Sequence, residues 1–324
     1  GQGFKKYFVI EEGTGTWCGY CPAGIVMMEH LRDNYPDRVI RIAVHGNQSA
    51  YNKDPMTASS TSAIINLFAG FPGALLDRDI EVPPTGSNIL SALDNYLDGH
   101  LSDPSFFSLE LAWEKTSETA VSITATTAVA TDTENPGNRY RLAFYITEDG
   151  VGPYKQSNYY SGGSLGSMGG WESKGSTVET YYDDVARVLM GGRTGYASSL
   201  PESLEAGQEY TYSCNANIST VDGDEFFITG LLIDNQTGCI VNARQTKASK
   251  TEEGGSGLSD IEKSGFAVYG GNGTVNFVGE YDSAFVYNVA GHLVATAHGE
   301  SSVALPAGLY IVKAGDKTAK IAVK

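Results

Sequence analysis

The chain is 324 residues long, room for two or three domains, and 41% of it is apolar, so it can bury a sizeable core and is not disordered throughout. Its 22 Lys and Arg against 38 Asp and Glu leave a net charge of −16, which argues against nucleic acid and against an anionic membrane surface as partners. No apolar run approaches the ~18 residues of a membrane span, and the 39 glycines and 19 tyrosines suit a β-rich, extracytoplasmic protein.

In chain order, the first hundred residues alternate strand and helix. Tyr7–Ile10 is a β-branched and aromatic run, and a Gly/Thr turn leads from it to Cys18 and Cys21. Residues 22–34 carry Ile25, Met28 and Leu31 at helical spacing, Val39–Val44 alternates as a strand, and Thr57–Phe68 again has a helical pattern. Leu75 and Leu76 fall in a short strand after Pro72, and Ile89–Leu97 is an amphipathic helix. This order predicts an α/β domain over 1–103.

After Asp103–Pro104 the period becomes two. Phe106–Trp113, Ala120–Ala130, Tyr140–Thr147, Glu209–Ile218, Glu225–Asp234 and Cys239–Gln245 read as strands, with Asn235–Gly238 a hairpin turn. The expectation is an antiparallel β-sandwich, Ig-like or jelly-roll-like, over 104–246. A Gly-, Ser- and Tyr-rich excursion at 149–200 interrupts it and is too long for a simple connection. Its aromatic residues, among them Tyr159, Tyr160, Trp171 and Tyr182, either form an adaptable contact surface or seal an edge of the sandwich. A polar linker is expected over 247–258 and a small β-domain over 259–324.

Several familiar chemistries drop out. None of the five histidines lies between 101 and 291, so His-dependent catalysis is not self-contained in the middle of the chain. Gly162-Gly-Ser164-Leu-Gly166 fits G-x-S-x-G in form but lacks the strand, helix and His of a nucleophile elbow. Asp222-Gly-Asp224-Glu225 reads as a turn and not as a calcium loop. Phosphate loops and dinucleotide fingerprints are missing, so no cofactor is expected.

The informative segment is Phe8-Val-Ile-Glu-Glu-Gly-Thr-Gly-Thr-Trp17-Cys18-Gly19-Tyr20-Cys21-Pro22, a strand running into a CxxC that opens a helix. Unpaired backbone N–H groups and the helix dipole at that place favour a thiolate. Cys18 is then the nucleophile, and Cys21, one turn along, the thiol that resolves a mixed disulfide. A CxxC is also half of a zinc site, but a second pair at metal spacing is lacking, and no metal is expected. It also survives as a structural disulfide on a scaffold without redox work. Cys214 and Cys239 lie in neighbouring predicted strands; of three possible pairings, 18–21 with 214–239 fits the domain reading.

Over about residues 1–101 the sequence resembles the thioredoxin superfamily. Trp17 precedes the Cys pair, Glu12 stands where thioredoxins place a buried acid that takes the resolving thiol's proton, and Gly70-Phe71-Pro72 resembles the cis-proline loop facing the disulfide. The Gly-Tyr pair between the cysteines is that of the periplasmic disulfide isomerase, whereas Pro22 departs from the Lys or Arg many thioredoxins carry near there. The resemblance implies catalytic roles for Cys18, Cys21, Glu12 and Pro72, and a substrate surface at Trp17, Tyr20, Phe71 and His45. For Glu12 a solvated strand-end acid, and for His45 a structural histidine, remain the alternatives.

The whole chain resembles the Omp28-related outer-membrane proteins of Bacteroidetes, through the acid-rich strand before the Cys motif, Asp184-Val-Ala-Arg-Val-Leu, and Leu231-Leu-Ile-Asp-Asn-Gln-Thr-Gly-Cys-Ile-Val-Asn-Ala. Val286-Tyr-Asn-Val-Ala-Gly-His-Leu-Val with Leu305-Pro-Ala-Gly-Leu-Tyr-Ile-Val-Lys resembles the sorting module of the type IX secretion system, though Val268-Tyr-Gly-Gly-Asn replaces its usual opening. No signal peptide is visible at Gly1, as expected of a mature or trimmed form from which a targeting segment has been removed; the resemblance implies export to periplasm, outer membrane or cell surface. Two functions follow: thiol–disulfide exchange on protein or peptide thiols and disulfides, or binding of a host or cell-surface ligand on a thioredoxin-like scaffold.

Overall fold

The computed structural model describes residues 3–256, 266–271, 273–279, 283–298, 301–314 and 317–323. β1 (Phe4–Lys5) and β2 (Phe8–Thr14) lead through the Cys pair into α1 (Pro22–Asn34). Then come β3 (Val39–His45), a 3-10 turn at Ser59–Thr61, the one-turn α2 (Ser62–Ile65), β4 (Gly73–Leu76), β5 (Ile80–Val82) and α3 (Ile89–His100). β2 runs parallel to β3 and antiparallel to β4, which pairs with β5. Every residue of β2 is buried, as a strand covered on both faces must be. Its alternating side chains feed two cores: Phe8 and Ile10 meet Met27, Leu31, Leu93 and Leu97 of α1 and α3, while Val9 joins Ile40, Ile42 and Ile64 on the other face.

The helix expected over Thr57–Phe68 shrinks to two short turns. Its Ser and Thr side chains compete for backbone partners: Thr61 Oγ1 donates to Ala58 O at 2.9 Å, and Ser60 Oγ accepts the Leu189 N–H at 3.0 Å.

The next strands are β6 (Pro104–Ser105), β7 (Phe107–Ser117), β8 (Ala120–Val129), β9 (Thr133–Glu134), β10 (Tyr140–Glu148), β11 (Val151–Ser157), β12 (Thr177–Tyr182) and β13 (Val185–Met190). They are followed by β14 (Ser203–Leu204), β15 (Glu209–Asn217), β16 (Glu225–Asp234), β17 (Cys239–Ser249) and β18 (Gly254–Ser256). Strands from both halves form one eight-stranded sheet, ordered β17-β16-β10-β13-β3-β2-β4-β5. The join is β13, antiparallel to β10 and parallel to β3, with Val185 opposite Ala43. A second sheet, β15-β8-β7-β18, turns its apolar face on β10 and β16, so that Leu109, Leu111, Trp113 and Ile123 share a core with Phe144, Ile146, Phe226 and Ile228. Strand β8 alternates buried and half-buried along its whole length, the pattern of a sheet covered on one face.

Three expectations change. The boundary expected between 103 and 104 falls inside a compact unit spanning Gly1–Ser256, because β13 stitches the two halves into one sheet. Of the linker expected over 247–258, residues up to Ser249 belong to β17, and Gly254–Ser256 pairs with β7 opposite Trp113; residues 257 and 258 lie outside the described residues. Cys214 and Cys239 are free thiols, since Cys214 sits on β15 opposite Ile123 while Cys239 starts β17 in the other sheet.

The second unit holds β19 (Phe266–Gly270), β20 (Thr274–Gly279), β21 (Ala284–Asn288), β22 (Leu293–Ala297), β23 (Ser301–Ala304), β24 (Gly308–Ala314) and β25 (Lys317–Val323). They form the sheets β19-β20-β23 and β22-β21-β24-β25 around Val275, Phe277, Val286, Val312 and Ile321. The protein is thus a β-rich multidomain chain built from several sheets.

Candidate active site at the Cys18–Cys21 disulfide

Cys18 and Cys21 are disulfide-bonded, with Cα atoms 5.3 Å apart. The loop after β2 turns tightly: the Cys18 N–H donates to Gly15 O and the Cys21 N–H to Cys18 O, each at 3.1 Å. Cys21 caps α1 and Pro22 follows as a first-turn proline, a position where its missing N–H costs nothing. Cys18 is 5% exposed and Cys21 is fully buried.

The other sequence-picked residues gather round this loop. Trp17 donates its indole N–H to Gly46 O at 2.8 Å and stacks on Phe71, ring centroids 5.6 Å apart. The Phe71–Pro72 peptide is cis. Tyr20 is 46% exposed and meets Tyr159 edge-on at 5.1 Å. Gly24, in the first turn of α1, is where the pieces converge. A Cβ there would lie 1.7 Å from Glu12 Oε1 and 3.4 Å from the Pro72 Cβ. The Gly24 N–H in turn donates to Cys21 O at 3.0 Å, so the Glu12 carboxyl presses on the turn that begins at Cys21.

Glu12 is buried, and its Oε1 has no hydrogen-bond partner among the described residues. Burial, and then the charge of Asp184, pushes its pKa up to about 8. Asp184, just before β13, is likewise raised by burial, to about 7, although Arg41 opposes the shift by donating from Nε to Oδ2 at 3.2 Å. His45 closes β3 next to the Cys loop, but its Nδ1 is 2.8 Å from Asp54 Oδ2, which also accepts the Thr16 N–H at 2.8 Å. This buried pair braces the loop on which Cys18 sits.

The 149–200 excursion covers the disulfide. Gln156 on β11 donates from Nε2 to Cys18 O at 2.9 Å and Gly15 O at 3.2 Å, and its Oε1 accepts the Tyr182 hydroxyl at 3.0 Å. The Ser157 N–H donates to Thr16 O at 2.8 Å and the Tyr159 N–H to Gly19 O at 2.9 Å, a backbone seam laid along the Cys loop. A Cβ on Gly19 would come 2.3 Å from the Tyr159 ring, so the close approach requires glycine. Tyr160 and Trp171 pack on Ala23 of α1. Of the excursion's rings, Tyr160, Trp171 and Tyr182 are buried while Tyr159 and Tyr181 stay exposed, so it both seals an edge and presents a surface. Gln156, Asp54 and Asp184 are not legible as site residues in the sequence; the unusual length of the excursion points to the segment holding Gln156 and Asp184, and Asp184 also opens the Asp184-Val-Ala-Arg-Val-Leu motif. Among the described residues, no cluster of three or more His, Cys, Asp or Glu is arranged to hold a metal ion.

Among solved structures, HBP35 of Porphyromonas gingivalis aligns with 100% of this chain and 100% of its own, at a TM-score of 0.52 and 21% identity, which shows a shared fold. A protein of Agrobacterium tumefaciens aligns with 76% of this chain and 95% of its own, at a TM-score of 0.42 and 13% identity. No protein-family model matches the chain, and no curated protein does. No described helix is long and apolar enough to cross a membrane.

Proposed function

We propose that this chain is an exported, thioredoxin-like thiol–disulfide exchange protein, related to the Omp28-type surface proteins of Bacteroidetes and acting on protein or peptide thiols and disulfides. The β3-β2-β4-β5 order with α1 and α3 on one face, and a CxxC at the start of α1, supports reading this part as a thioredoxin-like domain. The packing of β15-β8-β7-β18 on β10 and β16 of the large sheet favours reading that part as a β-sandwich, and the C-terminal sheets are compatible with a sorting-like module. The full-length likeness to the Porphyromonas gingivalis protein supports the fold, and the envelope or surface address rests on the sequence resemblance alone.

One observation carries the redox reading. A buried carboxyl with one oxygen unpartnered is expensive to keep in a core, yet Glu12 lies against the turn behind Cys21 with its pKa raised to about 8, suited to receive a thiol proton near neutrality. The test is single-turnover reduction of a disulfide-bonded peptide by the dithiol form. Glu12→Gln is expected to slow release of substrate from the Cys18 mixed disulfide by on the order of 10²-fold. Unchanged release would remove the reading.

The cover over Cys18 favours a second reading, a surface binding protein that keeps the disulfide only as a staple. The two part on one measurement: a reduced Cys18 that alkylates only above pH 9 belongs to the scaffold, and one that reacts at neutral pH to the exchange protein.

A further inference from the structure

Between α1, β3 and the β12–β13 turn lies a cavity of about 130 Å³, lined by Glu12, Asp184, His45 and Tyr182 and reaching Arg32 and Lys174. That is room for a few water molecules among polar walls. The eight-stranded sheet puts the two carboxyls there together. Glu12 is paired with Ala43, the Ala43 N–H donates to Asp184 O at 2.8 Å, and Val185 is the residue opposite Ala43 on the far side of β3. Asp184 holds a positive φ of 58°, a left-handed backbone that Asp adopts more readily than most non-glycine residues.

We propose that Asp184 is a positioning residue for the proton transfer of the exchange reaction, tuning Glu12 across this cavity and giving the proton its way to solvent. The inference rests on the redox reading of Cys18, Cys21 and Glu12. In the step concerned, a substrate disulfide is the oxidant and has already formed a mixed disulfide with Cys18. The Cys21 thiol passes its proton to the Glu12 carboxylate as its sulfur attacks Cys18. The Cys18–Cys21 bond forms, the Cys18–substrate bond breaks, and the substrate sulfur departs with the electron pair as a thiolate. The proton on Glu12 then leaves through the cavity past Asp184.

The charges around the pair fit this division of labour. Asp184 has Arg41 on its carboxylate at 3.2 Å, and its N–H donates to Asp149 Oδ1 at 2.7 Å. Asp183 beside it is bound by Arg32 of α1 at 2.8 Å, with Glu29 and Lys174 at the cavity wall. Facing Glu12 itself, His45 is engaged by Asp54 and the Tyr182 hydroxyl by Gln156. The Glu12 Oε1 atom is left without a partner among the described residues, and the neighbouring charge acting on its titration is Asp184.

The experiment is the pH profile of substrate release from the Cys18 mixed disulfide, in the full chain, for wild type, Asp184→Asn and Glu12→Gln. Asn keeps an oxygen for Arg41 but removes the charge that holds Glu12 up. The midpoint of the profile should therefore fall by about one pH unit, while Glu12→Gln is slow at every pH. An unshifted midpoint in Asp184→Asn, with Glu12→Gln still slow, overturns the role of Asp184 and leaves the redox reading standing. A Glu12→Gln protein as fast as wild type overturns both. If Asp184→Asn does not fold, carboxyl carbon NMR of the oxidised wild type decides. Coupled carboxyls titrate Glu12 in two steps, and a single step contradicts the coupling.

Discussion

Glu12 sits where a carboxyl is hard to charge, and that has a sign that can be measured. Its pKa in the fold is about 8 against an ordinary 4.5, so the native state holds a proton that the unfolded chain has released. Stability contributed by this residue is therefore full below about pH 4.5 and is lost as pH rises through 8. Glu12→Gln, which cannot ionise, is predicted to melt higher than wild type at pH 8.5 by on the order of 3–5 kcal/mol, and to converge with it near pH 4. Calorimetry of the oxidised protein checks this; a variant less stable at pH 8.5 contradicts the assigned environment. The neighbouring Gly24 is equally exacting. Gly24→Ala would place its methyl 1.7 Å from Glu12 Oε1 and should destabilise the fold by roughly 1–3 kcal/mol, read as a lowered melting midpoint. At this scale the sequence was partly legible. Cys18 and Cys21 stand out by their spacing, and Glu12 and Pro72 by the family resemblance alone; the structure brings Glu12 and Pro72 together at Gly24, in the turn that follows Cys21. Asp184, Asp54 and Gln156 do not stand out, because their partners lie 9 to 143 positions away and no local pattern records such distances.

Among the elements, the long strands fall where the sequence puts them: Glu225–Asp234 is a strand from end to end, and the turn at Asn235–Gly238 closes with the Gly238 N–H on Asp234 O at 2.7 Å. β13 is not legible as a strand because Val185–Met190, though part of a recognisable motif, is short, interrupted by Arg187 and without alternation. It is nevertheless the strand that carries Asp184 to Glu12. β11 is not legible for a related reason: its work is done by backbone groups and one Gln, which composition does not reveal. The seam it forms leads to a prediction. Tyr159→Ala removes the ring over Gly19 and should raise the alkylation rate of reduced Cys18 by roughly threefold or more, since thiol reactivity follows exposure. Equal rates would mean that the excursion does not limit access.

At the scale of the molecule, one buried ion pair ties the two halves of the large sheet. Arg78 donates to both Glu11 oxygens, at 2.7 and 3.0 Å, and the Tyr145 hydroxyl of β10 donates to Glu11 Oε2 at 2.6 Å. The Arg78 and Glu11 side chains are 3% and 1% exposed. Removing one partner leaves a buried charge alone, so Arg78→Ala should destabilise this unit by about 3–5 kcal/mol. Because the sheet is continuous, both halves should unfold in one denaturant transition; two transitions separated in denaturant would contradict the single unit. The sequence showed a change of period near Asp103 and so two folding patterns, but sheet continuity is a property of long-range pairing that periodicity does not carry.

The central claim is that Cys18 exchanges with protein disulfides and Cys21 resolves the product. Its most direct test is to incubate reduced Cys21→Ser with a disulfide-bonded substrate protein at pH 7 and map adducts by mass spectrometry. A stable mixed disulfide on Cys18 is expected, with Cys214 and Cys239 unmodified. No adduct on Cys18, under conditions where wild type also leaves the substrate disulfide intact, would contradict it.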